Sequence, residues 1–332
     1  MDQNEYERLS AHATPKQKQV VDLLFEGLTQ AGVAVVLGLN IRTVERRLAA
    51  VRKKALGGPV SVSPGRTITA PALHIPKRVK PRGEPTEHLW IPDTQVRPGV
   101  PTEHILGAIE YACEKRPDVI ILGGDHWDMP SLNSYEKPGS KYYEGRRLHE
   151  DFDSGNEVMA AMEKRLDAEK MYNPRLVFLE GNHEYRLQRL LQAEPVRTEG
   201  LFGRENFYAP GWEWNNFLDI VTIDGIMYSH YFVNPQSAIR GVLGGAIDNR
   251  LNKLKASFTQ GHQQTLLWGG QDLPGGRRIL GLVAGAFYQH DEEYMGPQGN
   301  NHWRGLVYKH EVRDGEYDPM MVSLDYILRK YT

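Results

Sequence analysis

The sequence contains one cysteine and no long apolar run. Of its 332 residues only Cys113 is a cysteine, so a disulfide within the chain is excluded and a reducing, cytoplasmic location is expected. The N-terminus is polar and lacks the apolar core of a signal peptide. No stretch approaches the roughly 20 apolar residues that cross a bilayer. We therefore expect a soluble globular protein with no membrane partner.

The net charge of −2 hides an uneven distribution. Residues 14–86 carry thirteen Lys or Arg against four Asp or Glu, so the rest of the chain is acidic. Such asymmetry predicts one segment that meets polyanions and another that gathers metal ions.

Residues 1–56 are predicted to form a small all-α domain. Thr14, Pro15 and Gln17 suit the N-cap, the first and the third position of a helix. Apolar residues at helical spacing follow them. A second helix is expected around Gln30–Leu37, where a glycine follows and favours a turn.

A third helix, capped by Asn40, is expected over Ile41–Lys54. Its outward face carries Arg42, Thr43, Arg46 and Arg47. Two helices, a glycine-containing turn and a basic helix make a helix-turn-helix unit. Residues 14–54 resemble the DNA-binding helix-turn-helix of response regulators and sigma factors. The resemblance implies that these four side chains contact DNA. A bundle for protein contacts or dimerisation is the alternative, but the Arg-rich face favours DNA.

The rest of the chain divides into a tether and a larger domain. Residues 57–86 are rich in Pro, Gly and basic residues, which is typical of an extended linker. Residues 87–332 alternate strand-like apolar runs with helical stretches, which predicts an α/β domain. One helix is expected over residues 237–254, and a hairpin is expected to turn at Asp314-Gly315.

Polar residues follow five of the predicted strands. They are Asp93 and Gln95, Asp125 and Asp128, Asn182 and His183, His230, and His262 with Gln264. Strand carboxyl ends in open α/β sheets border one crevice, and carboxylate, imidazole and amide oxygen suit divalent manganese, iron or zinc. Singly, each residue is explained as a turn or core residue. Their recurrence at five strand ends predicts a metal site.

The motifs occur in the order of a known family. They are PDTQ at 92–95, GGDHWD at 123–128, GNHE at 181–184, SH at 229–230 and GHQQ at 261–264. Over roughly residues 87–290 the sequence resembles the calcineurin-like metallophosphoesterases, and the architecture resembles phage or prophage members. The resemblance implies a four-layer α-β-β-α sandwich with two divalent ions at the sheet edge. From the ligand types we expect Mn²⁺, with Mg²⁺, Fe or Zn²⁺ as other candidates.

The same resemblance assigns roles to residues. Asp125 would bridge both ions. One ion would be completed by Asp93, Gln95 and Gln264. The other would be completed by Asn182, His230 and His262. His183 would protonate the leaving oxygen or stabilise the phosphoryl charge, while Asp128 and Glu184 would orient histidines or water.

Two glutamines depart from the family pattern. Gln95 and Gln264 stand where the family commonly has histidine, and both belong to the same ion. An amide oxygen is a weaker ligand than an imidazole nitrogen, so this ion should be held less tightly and be Mn²⁺ or Mg²⁺. Alternatively, both glutamines are spectators beside an ion held by carboxylates and water.

The expected function is a phosphodiesterase or nuclease that acts on DNA and uses two metal ions to activate water. One alternative is a phosphatase or phosphodiesterase of small molecules or phosphoproteins. Another is a DNA-binding regulator with an inactive phosphoesterase domain. Residues 131–152 mix tyrosines with cations, which suits either a nucleic-acid groove or a capping loop. No heptad repeat indicates an oligomeric state.

Overall fold

A computed structural model describes residues 3–39, 41–56, 84–134, 139–237, 241–292 and 295–332. Contacts divide the chain into two units, Met1–His74 and Ile75–Thr332. Most of the predicted linker and the proposed cap Asn40 lie outside the described residues. The first strand begins at Thr86, the last residue of that predicted linker.

The first unit is helical. Its helices are α1 (Gln3–His12), α2 (Pro15–Phe25), α3 (Gln30–Val36) and α4 (Ile41–Leu56). The three predicted helices are confirmed, with the backbone N–H of Thr14 donating to Gln17 Oε1 at 3.0 Å at the start of α2. Their shared core contains Val20, Val21, Val33, Val44, Leu48 and Val51.

Helix α1 was not predicted. Among its described side chains, Leu9 joins the buried core and Tyr6 packs at its margin. The Tyr6 ring stacks on Phe25 at 4.2 Å between centroids, and its hydroxyl donates to Asp22 at 3.0 Å. A helix held by so few apolar contacts shows little hydrophobic periodicity in its sequence.

The second unit is a mixed α/β fold with two sheets. Its strands are β1 (Thr86–Ile91), β2 (Val119–Leu122), β3 (Arg175–Leu179), β4 (Glu213–Asn215), β5 (Val221–Ile223), β6 (Ile226–Ser229), β7 (Ser257–Gln260), β8 (Leu266–Leu273), β9 (Arg277–Ala284), β10 (Gly305–Arg313) and β11 (Glu316–Ser323). Its helices are α5 (Glu103–Lys115), α6 (Leu148–Ala168), α7 (Tyr185–Ala193), α8 (Pro195–Thr198), α9 (Ile247–Leu254), α10 (Gly296–Gly299) and α11 (Leu324–Tyr331). None of the helices in the described ranges has the length and apolarity needed to span a bilayer.

The sheets are mixed in direction. One has the order β11-β10-β1-β2-β3-β4 and the other β5-β6-β7-β9-β8. Strands β1 to β4 are parallel to each other, as are β6, β7 and β9. Their carboxyl ends therefore gather at one edge of each sheet.

The two sheets stack face to face. Trp90, Ile121 and Val177 of the first sheet share a buried core with Tyr228 and Leu282 of the second. Helices α5, α6 and α11 contribute to the core on the other face of the first sheet. Helix α9 packs on the outer face of the second sheet. Because both faces of each sheet carry apolar side chains, several strands are continuously apolar.

Two local expectations have opposite outcomes. The hairpin is confirmed: Arg313 pairs with Glu316, and Asp314 and Gly315 have φ of 52° and 90°, as a type I′ turn requires. The single helix over 237–254 is wrong in its first part, because α9 begins only at Ile247. Residues 241–246 are not helical and include Gly245 with φ of 89°, a conformation that interrupts a helix.

Candidate metal centre

The ends of five strands meet at one place. Asp93 follows β1, Asp125 follows β2, Asn182 follows β3, His230 follows β6 and His262 follows β7. Backbone hydrogen bonds join the segments that carry them: the N–H of Gly261 donates to the His230 carbonyl at 3.0 Å. The predicted convergence therefore rests on parallel strands from both sheets.

One half of the predicted ligand set is compact. Asp125, His230 and His262 each offer a ligand atom within 4.8 Å of the others, as the one such group among the described His, Cys, Asp and Glu residues. His230 Nε2 lies 3.4 Å from Asp125 Oδ2 and 3.0 Å from Asn182 Oδ1. These four residues are the ones predicted to complete one ion.

The ring of His230 is oriented by the backbone. Its Nδ1 lies 2.7 Å from the Gly123 carbonyl and therefore donates to it, which leaves Nε2 directed at two oxygen acceptors. Burial lowers the pKa of His230, but the charge of Asp125 outweighs it, and the net pKa is raised. The lone pair of His230 Nε2 faces the oxygens of Asp125 and Asn182. A positive charge among these three atoms stabilises the arrangement, and a divalent ion would supply that charge.

The other half contains unpaired acceptors. Asp93 Oδ1 accepts the backbone N–H of His262 at 3.1 Å. Within the described part of the chain, Asp93 Oδ2 and Gln95 Oε1 are buried without a hydrogen-bond partner. Leaving such an acceptor unsatisfied costs about 1–3 kcal/mol. A bound cation removes that cost, so these residues fit a second ion.

Gln264 is less firmly placed. It lies partly buried in the loop that begins after β7. Its neighbour Gln263 accepts a hydrogen bond from Arg250 Nη2 at 2.6 Å. The role of Gln264 as a ligand stays a prediction.

Three candidate ligands have left-handed backbone conformations. Gln95, Asp125 and His262 have φ of 43°, 51° and 62°. A side chain with a Cβ atom pays about 1–3 kcal/mol in such a conformation. Surrounding contacts must impose these angles, which is common at functional sites. Sequence motifs alone do not reveal this strain.

His183 and Asp128 form a pair beside the centre. His183 Nδ1 lies 2.8 Å from Asp128 Oδ1, and its Nε2 lies 3.7 Å from Asp125 Oδ2. Burial lowers the pKa of His183, but the charges of Asp125 and Asp128 outweigh it, and the net pKa is raised. His183 Nε2 therefore faces the centre, and the role of His183 as a proton donor stays a prediction.

Two arginines that the sequence analysis did not single out hold Asp128. Arg97 Nη1 donates to Asp128 Oδ2 at 2.8 Å and to Glu292 Oε1 at 3.2 Å. Arg186 donates to the Asp128 carbonyl at 2.7 Å. Each lies two residues beyond a motif, which is the only signal for them in the sequence.

Glu184 acts on the backbone. Its carboxylate accepts the N–H groups of Asp125 at 3.0 Å, Trp127 at 2.9 Å and Gly181 at 2.9 Å. Burial, followed by the charge of Asp125, raises its pKa. Glu184 therefore joins two motif loops, and the expectation that it also orients histidines or water stays a prediction.

The predicted nucleic-acid contacts lie in two places. On α4, Thr43 and Arg47 are partly buried and Arg46 is exposed, while the Arg42 side chain falls outside the described residues. In the segment 131–152, Arg146 lies 3.5 Å over the Tyr142 ring. Tyr135 and Lys137 of that segment are not among the described residues.

Comparison with known proteins shows what the first unit is similar to. Residues 4–54 match the family model described as Sigma-70, region 4, so this unit is similar to a DNA-binding helix-turn-helix domain. No curated protein matches the chain. One solved structure is similar over 72% of this chain and 100% of its own, with 11% identity and a TM-score of 0.36. A likeness that distant indicates neither fold nor function.

Proposed function

We propose that the protein is a metal-dependent phosphodiesterase of the calcineurin-like type that cleaves DNA. The observation that carries the proposal is the meeting of five motif segments at the carboxyl ends of parallel strands from two sheets. The side chains there are carboxylates, imidazoles and amides, the donor set that divalent manganese accepts.

Each ion would have its own ligands. One ion would be held by Asn182, His230 and His262. The other would be held by Asp93, Gln95 and Gln264, and both would be held by Asp125. When bound, the ions would polarise the phosphoryl group and lower the pKa of water enough to supply a hydroxide nucleophile at neutral pH. The ion beside Asp93 has the weaker ligands, so it is expected to exchange more readily and to be Mn²⁺ or Mg²⁺.

The protein's own side chains carry out the remaining steps. His183 donates a proton to the leaving oxygen of the phosphodiester. Asp128 lies in ion-pair contact with His183, with 2.8 Å between Asp128 Oδ1 and His183 Nδ1, and its other oxygen accepts a hydrogen bond from Arg97. Buried Glu184 fixes the backbone beside Asp125 and Gly181.

DNA as the substrate follows from the first unit. A helix-turn-helix similar to Sigma-70 region 4 supplies affinity for duplex DNA, largely through phosphate contacts. Its basic helix α4 carries Arg46 on an exposed surface. Joined to a phosphodiesterase in one chain, such a domain raises the local concentration of phosphodiester bonds.

The test is cleavage of single-stranded and duplex DNA by the full-length protein with Mn²⁺, Mg²⁺ or Zn²⁺. The matched control is Asp125→Asn, which keeps the side-chain volume and removes the charge. We expect Mn²⁺-dependent cleavage by the wild type and a loss of at least about 10³-fold in the variant. Cleavage unchanged in Asp125→Asn contradicts the site, and brisk hydrolysis of small phosphoesters without DNA cleavage contradicts the substrate.

A further inference from the structure

Four rings form a continuous row beside the candidate metal centre. They are Tyr185, Phe217, Tyr231 and His262, all partly buried. Successive ring centroids lie 4.6, 5.5 and 4.7 Å apart. Because His262 belongs to the cluster with Asp125 and His230, this aromatic row ends on the metal centre.

Motif segments hold the aromatic row in place. Tyr185 directly follows the GNHE motif, and Tyr231 directly follows His230. Phe217 lies in the turn after β4, where its backbone N–H donates to Glu180 Oε2 at 3.0 Å. Glu180 immediately precedes that GNHE motif. The rings are therefore positioned by the same segments that carry the candidate ligands.

The surface next to the row is apolar. Leu218 and Ile220, in the same turn as Phe217, are 37% and 55% exposed. Partly exposed rings beside apolar side chains bind flat aromatic groups by stacking. A base within a duplex is stacked on both faces, so only an unpaired or extruded base offers a free face.

We propose that the aromatic row stacks unpaired bases next to the scissile phosphate, so that the preferred substrate is single-stranded or locally unpaired DNA. The inference rests on the proposed function and names its substrate. Phe217 and Tyr231 stack on the bases. The scissile phosphate next to these bases lies between the two rings and Asp125 and contacts the metal centre. The rings have no preference among bases, because every base has a stacking face.

The test compares two single-stranded oligonucleotides with the full-length protein and Mn²⁺. One carries normal bases, and the other carries abasic sites around the cleaved bond. Stacking predicts that kcat/KM is higher for the normal strand by about 5- to 150-fold. In Phe217→Leu this ratio should fall several-fold, and in Phe217→Trp, which restores a ring, it should return. Tyr326→Leu removes a ring that contacts Tyr331 in α11 and should keep the wild-type ratio.

The outcomes distinguish a failure of the stacking inference from a failure of the proposed function. If DNA is cleaved but the abasic strand is cut equally well, or if Phe217→Leu keeps the ratio, stacking is wrong and the proposed function stands. Duplex cleaved as fast as single strand also overturns the inference. If neither oligonucleotide is cut while a small phosphodiester is hydrolysed, the inference and DNA as substrate fail together.

Discussion

Replacing Gly261 by alanine should damage the metal centre selectively. A Cβ atom at Gly261 would lie 2.5 Å from Asp93 Oδ1, while the next nearest atoms, the Gly123 carbonyl oxygen and Trp90 Cζ2, lie at an ordinary 3.6 Å. The carboxylate must therefore move by about 0.9 Å to reach a normal contact. It can do so by rotating, which spares the fold but displaces a proposed metal ligand and breaks the hydrogen bond that Asp93 Oδ1 accepts from the His262 N–H.

The expected magnitude follows from this displacement. A misplacement of about 1 Å in a catalytic group costs on the order of 10²-fold in rate, or about 2.7 kcal/mol. The loss of one hydrogen bond should lower the melting temperature by only about 2–6 °C in a protein of this size. We therefore expect Gly261→Ala to lose about 10²-fold in kcat/KM with weaker Mn²⁺ binding and a nearly normal fold.

The assay combines Mn²⁺-dependent hydrolysis of bis(p-nitrophenyl) phosphate, calorimetric titration with Mn²⁺ and thermal unfolding. The matched control is Gly244→Ala, because a Cβ at Gly244 has no described heavy atom within 4 Å. Selective damage to the centre is refuted if Gly261→Ala matches Gly244→Ala in turnover and Mn²⁺ affinity. It is equally refuted if Gly261→Ala no longer folds, since the close approach would then serve the fold.

Three further perturbations test other parts of the account. Asp128→Asn should lower kcat about 10²- to 10⁴-fold for a diester with an alkyl leaving group and much less for p-nitrophenolate, which leaves unaided; equal losses would contradict a proton-donor pair. Burial lowers the pKa of His104 in the folded protein from 6.5 to about 4. As the pH falls from about 6.5 to 4, this histidine therefore binds a proton in the unfolded chain before it does so in the folded protein. The free energy of unfolding decreases by about 3 kcal/mol over that range. Measured by urea unfolding, the free energy of unfolding should decrease less between pH 7 and 4.5 in His104→Gln than in the wild type. An equal decrease in both would exclude His104 as its cause. Arg46→Ala and Arg47→Ala should each weaken duplex binding and reduce the salt slope of log K by up to about 0.9; an unchanged slope in both would exclude phosphate contacts by α4.

Local sequence signals predicted the regular parts of the fold. The cap at Thr14 and the turn at Asp314-Gly315 each depend on a few adjacent residues, so their outcome did not require tertiary contacts. The long helix over 237–254 failed because apolar spacing outweighed the glycines in the prediction. Helix α1 was missed because its stability comes from contacts of Tyr6 and Leu9 with distant residues.

The site was predictable at the level of segments and less so at the level of atoms. Strand-end motifs indicated that Asp93, Asp125 and His230 converge, since parallel strands share an edge. The hydrogen bonds of Glu184 to three backbone N–H groups were not predictable, because their donors come from two separate loops. The aromatic row was hidden for the same reason, as Phe217 and its neighbours come from different segments.

The central claim, a metal centre at the strand ends, is tested most directly by anomalous diffraction from crystals of the protein soaked in Mn²⁺. We expect a strong peak about 2.0–2.3 Å from atoms of Asp125, His230 and His262. A second, weaker peak should lie beside Asp93. Absence of any peak at these residues, or ordered Mn²⁺ only elsewhere on the molecule, would contradict the account.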